Sequence, residues 1–438
     1  MQYILIDKKI KPSIFSKRIL KNSFYTGLAL VFAGIITPLF NFIIARFFGQ
    51  EVLGEFNIMI SFCLIITIFV TNFFGSAGNK FLAEYRGKNS FNQFVYVLKI
   101  VIFGPIIILL LLNTILLIKW DYFSKNFSLP YELFIKIILY IFFRSFYIIF
   151  RRIYYSVDLV SIYAKIEIIS DIILFLAIIL VAFKGKTTLL LDCYVLGYAA
   201  FVIISIILLL RNYQTITKNM SYLDNFNKND IMKKFSHYGI VSMVGTVAST
   251  GTGYLSILVI GMYLSQSDAG LYSSVLAIVS ILMFIPKLFT QVFLPEISNL
   301  FGAKKNKEIT QLFYQTSKIM ISLSAVLCTI IYFISSDILK LFGEEFVKGS
   351  IILQLLLPSV FIRITSIPFV SFLSGTKYII HPNIGGVIIF FVSLITWVIL
   401  VPNYSLSGVA IGYTIGNITG VSYQILMAYL KIKSFSNG

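Results

Sequence analysis

Charged side chains are scarce in this sequence: Asp, Glu, Lys and Arg make up 12% of its 438 residues, about half the share in an ordinary soluble chain. Acidic residues are scarcer still, 18 against 36 lysines and arginines, and there are only 2 histidines, 3 cysteines and 2 tryptophans. Two histidines leave little acid–base chemistry at neutral pH. No Walker, nucleotide-loop or nucleophile-elbow motif accompanies them, so neither an enzyme nor an ATP-driven pump is expected. Without a Cys/His cluster at ligand spacing, no metal or other cofactor is expected. Cys63, Cys193 and Cys328 are odd in number and lie in or beside apolar runs, which makes them packing residues and not a disulfide framework. The net charge of +18 is spread loop by loop, whereas a nucleic-acid binder gathers its cations on one soluble face. No nucleic-acid partner is expected.

What is abundant is apolar surface: 58% of residues are hydrophobic, with a mean hydropathy of +0.90. A bilayer core takes about 20 apolar residues per helical crossing. Runs of that size fall near 24–45, 56–75, 95–118, 133–155, 166–183 and 189–210, then near 238–264, 270–294, 313–334, 350–373, 384–401 and 406–430. They are near-continuously apolar, unlike the alternating strands of a barrel, and a helix satisfies its own backbone groups in lipid. The expected fold is therefore an all-α membrane protein of about 12 transmembrane helices. The first run follows six lysines and arginines but is long and lacks a clear cleavage site, so it reads as an uncleaved first span.

With the N-terminus placed in the cytoplasm, inner segments together with Arg151, Arg152 and Lys318 toward the inner ends of their spans carry 24 of the 36 lysines and arginines and outer loops 7. That bias follows the positive-inside rule and predicts that both termini are cytoplasmic. Trp120 and Trp397 near outer ends fit an aromatic interface belt.

The polar stretch 212–237 divides the spans six and six, giving an N-terminal lobe 1–211, a linker 212–237 and a C-terminal lobe 238–438. Gln50 and Gly54 after the first span match Gln266 and Gly270 after the seventh, at one offset of 216 residues. Equal span counts and the shared place of these pairs support a duplicated bundle of parallel topology. Pro38 in span one and Gly251 with Gly253 in span seven are expected to interrupt their helices; Pro105, Pro286, Pro358 and Pro368 are further candidate kinks.

The runs Ala45-Arg-Phe-Phe-Gly-Gln-Glu-Val-Leu-Gly-Glu-Phe56, Lys80-Phe-Leu-Ala-Glu-Tyr-Arg86, Asp268-Ala-Gly-Leu-Tyr-Ser273 and Leu294-Pro-Glu-Ile-Ser298 resemble those of polysaccharide-repeat exporters. These are the O-antigen (Wzx-type) flippases of the multidrug/oligosaccharidyl-lipid/polysaccharide exporter superfamily. The resemblance implies two pseudo-symmetric six-helix lobes around a central cavity, alternating access, and an undecaprenyl-diphosphate-linked oligosaccharide as cargo. It also implies residence in the bacterial cytoplasmic (inner) membrane, and a polysaccharide polymerase and chain-length regulator as possible partners. A cation-coupled multidrug antiporter and a peptidoglycan lipid-precursor flippase are the alternatives. The first would favour acidic cavity residues, and the second often carries two more helices.

An ionised group at mid-bilayer costs roughly 3 kcal/mol on insertion scales and normally faces a cavity or a partner. Arg144, Lys287 and Arg363, in spans four, eight and ten, are therefore the candidates for gripping an anionic headgroup. In span four Lys136, Tyr140, Arg144, Tyr147, Arg151, Tyr154 and Asp158 recur at steps of four and three, a stripe on one helical face. Tyr140, Tyr147 and Arg151 join the candidate cavity on that ground, since tyrosines both stack on sugars and hydrogen-bond hydroxyls. The alternative is a structural ion pair between Arg144 and Asp171; Asp171 could instead carry a coupling proton or cation.

Overall fold

The computed structural model describes residues 14–127, 131–218, 220–222, 226–302 and 305–436. Among these the chain is helical throughout, the one isolated bridge joining Ser90 to Ser221. The first half comprises α1 (Ile14–Val70), α2 (Ala77–Gly87), α3 (Phe91–Ile118), α4 (Trp120–Phe127), α5 (Phe134–Ser156), α6 (Val160–Lys184) and α7 (Leu190–Thr217). The second comprises α8 (Lys228–Tyr263), α9 (Gln266–Leu282), α10 (Phe284–Gly302), α11 (Asn306–Phe333), α12 (Ser335–Lys340), α13 (Ser350–Thr365), α14 (Ile367–Gly375) and α15 (Ile380–Ser436).

Nine helical stretches among the described residues are long and apolar enough to cross a membrane. Two of them, Gly34–Gly87 and Ile380–Lys433, run 54 residues each, about 80 Å at 1.5 Å per residue and far more than one crossing needs. Each turns back midway: at Gly49, whose φ of 85° is open to glycine, and at Ser405, with φ 48°. Counting those as two crossings apiece and adding α9 gives twelve, the expected number, in two lobes.

Helix breakers act at some of the expected places and not at others. Pro38 lies inside α1 and Gly251 and Gly253 inside α8, and both helices continue through them, as α3 does through Pro105 and α13 through Pro358. Neighbouring groups in a bundle can satisfy what one proline frees. The real interruptions are at Met283, between α9 and α10 and ahead of Pro286, at Ser366, ahead of Pro368 in the first turn of α14, and in a π-helix at Thr71–Ser76. The tryptophans also differ from expectation. Trp120 packs on Phe134 at 4.7 Å and Trp397 donates to the Val409 carbonyl at 3.0 Å; both are buried in protein and not laid against lipid.

α7 and α8 extend toward each other, leaving 218–227 between them, and Asn227 caps α8 by accepting from the Asn229 and Asp230 amides. Ser221 is tied to the α2–α3 turn by its amide donating to Asn89 O at 2.7 Å and its carbonyl accepting from Phe91 N at 3.0 Å.

The two copies of the Gln/Gly pair meet one another. A Cβ on Gly54 would fall 1.8 Å from the Gln266 carbonyl oxygen, and one on Gly270 would fall 1.8 Å from that of Gln50. This reciprocity places a pseudo-two-fold axis between α1 and α9, where hydrogen side chains alone let the backbones touch. Gln50 Nε2 donates to Ser267 O and Oγ, both at 2.7 Å, and Gln50 N donates to Glu345 Oε1 at 2.9 Å. The lobes are thus sealed at the end away from the 218–227 linker. Gly54→Ala and Gly270→Ala should each destabilise the protein by roughly 1–3 kcal/mol through overpacking, measured by unfolding in detergent micelles. Gly253→Ala, where a Cβ meets nothing within 4 Å, should stay within about 0.5 kcal/mol of wild type; equal effects at all three would contradict the seam.

Candidate functional site

α5, α6 and α7 form one wall of the first lobe, and their facing sides carry most of its polar interior. From α5 come Tyr140, Arg144, Tyr147 and Arg151, at the helical spacing that aligns them. Across from them, α6 contributes Tyr163, Glu167 and Asp171, each one turn apart, and α7 contributes Tyr194, Tyr198 and Phe201. The opposite side of α5, with Phe142, Phe146 and Phe150, lines an apolar cavity of about 320 Å³ together with residues of α3 and α7. The helix therefore has a polar inner face and an aromatic outer one.

Arg144 is half-buried, its guanidinium 5.0 Å from the Tyr147 ring centre and 4.7 Å from that of Tyr198. Tyr198 also meets Tyr140 edge-on at 5.9 Å and Tyr194 at a tilt at 5.7 Å, so the cation rests on a cluster of tyrosines. Tyr254 of α8, from the other lobe, is an electrostatic neighbour of Arg144, which puts this arginine at the lobe boundary. Arg151 lies 5.4 Å from the Tyr163 ring. Among the described residues no carboxylate comes within ion-pairing distance of either guanidinium, and the Arg144 Nε has no hydrogen-bond partner. The expected alternative of an Arg144–Asp171 ion pair is therefore not formed.

Glu167, 0% exposed, accepts a hydrogen bond from the Tyr147 hydroxyl through Oε1, while its Oε2 has no partner. Asp171, 7% exposed, has an unpartnered Oδ2 one turn away. Two buried carboxylates thus share one helix face without a cation paired to them among the described residues. Glu167, Tyr163, Tyr194, Tyr198 and Tyr254 are absent from the sequence-derived site. The i, i+4 spacing of Tyr163, Glu167 and Asp171 was a readable signal for part of it.

The span-four stripe does not act as a unit. Lys136 pairs with Asp192 at 2.5 Å and donates to Thr188 O at 2.8 Å near the end of the helix, and the Tyr154 hydroxyl donates to Ser205 O at 3.2 Å. Arg363 stands in the second lobe, donating from Nη1 to the Tyr413 hydroxyl at 3.0 Å, and no direct contact joins it to Arg144 among the described residues. Lys287 belongs to α10, and its side chain lies outside the described ones. No group of three His, Cys, Asp or Glu suited to a metal occurs among the described residues.

Arg152, off the stripe, braces the π-helix. Its Nη1 donates to Thr71 O at 3.1 Å and to Ser76 Oγ, and its Nη2 donates to Asn72 Oδ1 at 2.8 Å. The π-helix in turn meets α8, where a Cβ on Gly239 would come 2.9 Å from Phe73 O.

A family model described as "polysaccharide biosynthesis protein" matches residues 19–301, well over half the chain. The chain belongs to that family. A second model, MatE, matches residues 242–395 of this polysaccharide biosynthesis family member. Its fold is similar to that of an inward-facing MATE multidrug resistance transporter of the MOP superfamily (TM-score 0.75, 13% identity, 92% of this chain and 96% of that one). It is also similar to the lipid II flippase MurJ in an inward closed conformation (TM-score 0.67, 18% identity, 93% and 89%). A MOP superfamily transporter from Pyrococcus furiosus is another such neighbour (TM-score 0.67, 13% identity, 96% and 96%). No curated protein matches the chain. The chain is thus a member of the polysaccharide biosynthesis family whose fold is similar to that of these transporters, with nine helical stretches among the described residues long and apolar enough to cross a membrane.

Because Arg152 uses the fork of its guanidinium on three acceptors, Arg152→Lys should destabilise the protein by about 1.5–3 kcal/mol even though the charge is kept. Thermal unfolding in micelles measures this; an unchanged midpoint would mean the brace is idle.

Proposed function

We propose that this chain flips an undecaprenyl-diphosphate-linked oligosaccharide repeat unit, of O-antigen or capsule type, across the bacterial cytoplasmic membrane by alternating access. The observation that carries the reading is the unpaired guanidinium of Arg144, held on Tyr147 and Tyr198 at the lobe boundary. A cation kept in place by ring faces retains its in-plane N–H donors for an incoming anion. A diphosphate offers oxygens that fit that fork, and sugars adjoining it stack on tyrosine. Membership of the polysaccharide biosynthesis family supports the glycan half of the cargo.

In this mechanism Arg144 and Arg151 receive the diphosphate, Tyr140 and Tyr147 line the path with Tyr198, and Arg363 and Lys287 serve the second lobe. The lobes divide at 212–237. Both termini and this linker are cytoplasmic, following the charge bias. Opening of the Gln50–Gly54 and Gln266–Gly270 seam then releases the repeat unit outward, toward a polymerase and chain-length regulator. Asp171, with Glu167 beside it, carries the coupling proton or cation.

The buried carboxylates also favour a second reading. A cationic drug would meet Glu167 and Asp171 as its counter-charges, and one fold neighbour is a multidrug resistance transporter.

Proteoliposomes holding the full chain separate the two. Flipping of a lipid-linked oligosaccharide should fall at least about tenfold in Arg144→Ala and in Arg144→Lys, the loss of one charge-assisted, desolvated contact. Asp171→Asn should keep binding but abolish the response of flux to an imposed ion gradient. Normal flipping by Arg144→Ala would defeat the site, and gradient-driven uptake of a cationic dye with no oligosaccharide flipping would favour the drug reading.

A further inference from the structure

A polar pocket, separate from the Arg144 site, opens at the linker end of the bundle with a volume of about 440 Å³. Its walls come from α2 and the first turns of α8, so residues of both lobes meet there. Lys80, Lys88 and Lys234 bring ammonium groups, and Tyr85, Tyr238 and His237 bring further hydrogen-bonding side chains. Two carboxylates also line it, and each is already matched: Glu84 by Lys88 and Asp230 by Lys234, both at 2.6 Å.

Lys80 is the exception. Among the described residues its Nζ has no carboxylate partner; it lies 4.1 Å from the Tyr238 ring centre and 5.2 Å from that of Phe81. An ammonium seated on ring faces spends no N–H donor on an acceptor oxygen, and the donors not aimed at the rings stay free for an anion. The N-terminus of the 36-residue α8 ends at the same pocket, adding the positive pole of its dipole. The charge left over after pairing is therefore positive, at the end of the bundle where the linker and its lysines emerge.

We propose that this pocket binds the phosphate group of an anionic lipid headgroup at the membrane surface, with Lys80 as the principal contact. Lys88 and Lys234 exchange their carboxylate partners for phosphate oxygens at the rim. The headgroup can belong to bulk anionic phospholipid or to the cargo lipid; only the latter source rests on the proposed function. Tyr238 connects the pocket to the interior, since it faces Lys80 on one side and is an electrostatic neighbour of Arg152 on the other.

Acylation of individual lysines by an amine-reactive reagent, read by peptide mass spectrometry on the full chain in phosphatidylcholine nanodiscs, tests this directly. Soluble inorganic diphosphate should slow acylation of Lys80 about tenfold when present at about ten times its Kd. Lys186, at the opposite end of the bundle, should be unaffected. In Lys80→Gln the protection of Lys88 and Lys234 should disappear, while Arg144-dependent flipping stays measurable. Discs containing phosphatidylglycerol, or undecaprenyl diphosphate at low mole fraction, identify the source: protection by the first assigns bulk lipid, and by the second alone assigns the cargo. No protection by any of the three, or equal protection of Lys186, would overturn the proposal. That result would leave the proposed function standing, just as normal flipping by Arg144→Ala would leave this pocket standing.

Discussion

A guanidinium inside a membrane bundle must be neutralised, solvated or satisfied by dipoles. Here Arg144 meets rings where a carboxylate would be expected, with Tyr147 and Tyr198 on its faces and Tyr254 across the lobe boundary. Glu167, a buried carboxylate on the facing helix, accepts from the Tyr147 hydroxyl instead. The acid therefore fixes the ring, and the ring holds the arginine. This indirect arrangement leaves both charges incompletely matched, which is costly for folding and, under the proposed function, suits a site that must accept and release a charged group.

The rest of the architecture places that arrangement at the boundary between the lobes. At one end, hydrogen side chains at Gly54 and Gly270 let two backbones seal the lobes reciprocally. Toward the other, the π-helix Thr71–Ser76 is braced by Arg152 from α5 and abuts α8 at Gly239. α5 thus bears on its inner face the arginines of the candidate site and at its end the contact that shapes span two. A shift of α8 relative to the first lobe would be felt at Tyr254, Gly239 and Tyr238 together, because all three belong to one continuous helix.

The spans were legible because lipid demands long apolar runs and leaves little room for any other pattern. The duplication was legible through Gln50, Gly54, Gln266 and Gly270, although the sequence could not reveal that the two copies touch. The stripe of α5 was legible as a face, but not what opposes it. The register between α5, α6 and α7 is set by side-chain packing, so Tyr198 could not be matched to Arg144 from spacing within one helix. Arg152 was passed over because it lies off the stripe, and the π-helix it braces leaves no composition signature. Pro38 and Pro105 misled for a physical reason, being absorbed inside a packed bundle, whereas Pro286 and Pro368, also expected as kinks, stand just after real breaks.

The central claim is that Arg144 owes its availability to resting on aromatic rings in place of a carboxylate. Supplying the missing acid tests it: Tyr198→Glu, compared with Tyr198→Gln, in the full chain in nanodiscs, with undecaprenyl diphosphate binding measured by titration. The account predicts that the glutamate variant binds at least about tenfold more weakly than the glutamine variant, because a buried ion pair then occupies the guanidinium. Equal affinity in the two variants would contradict it.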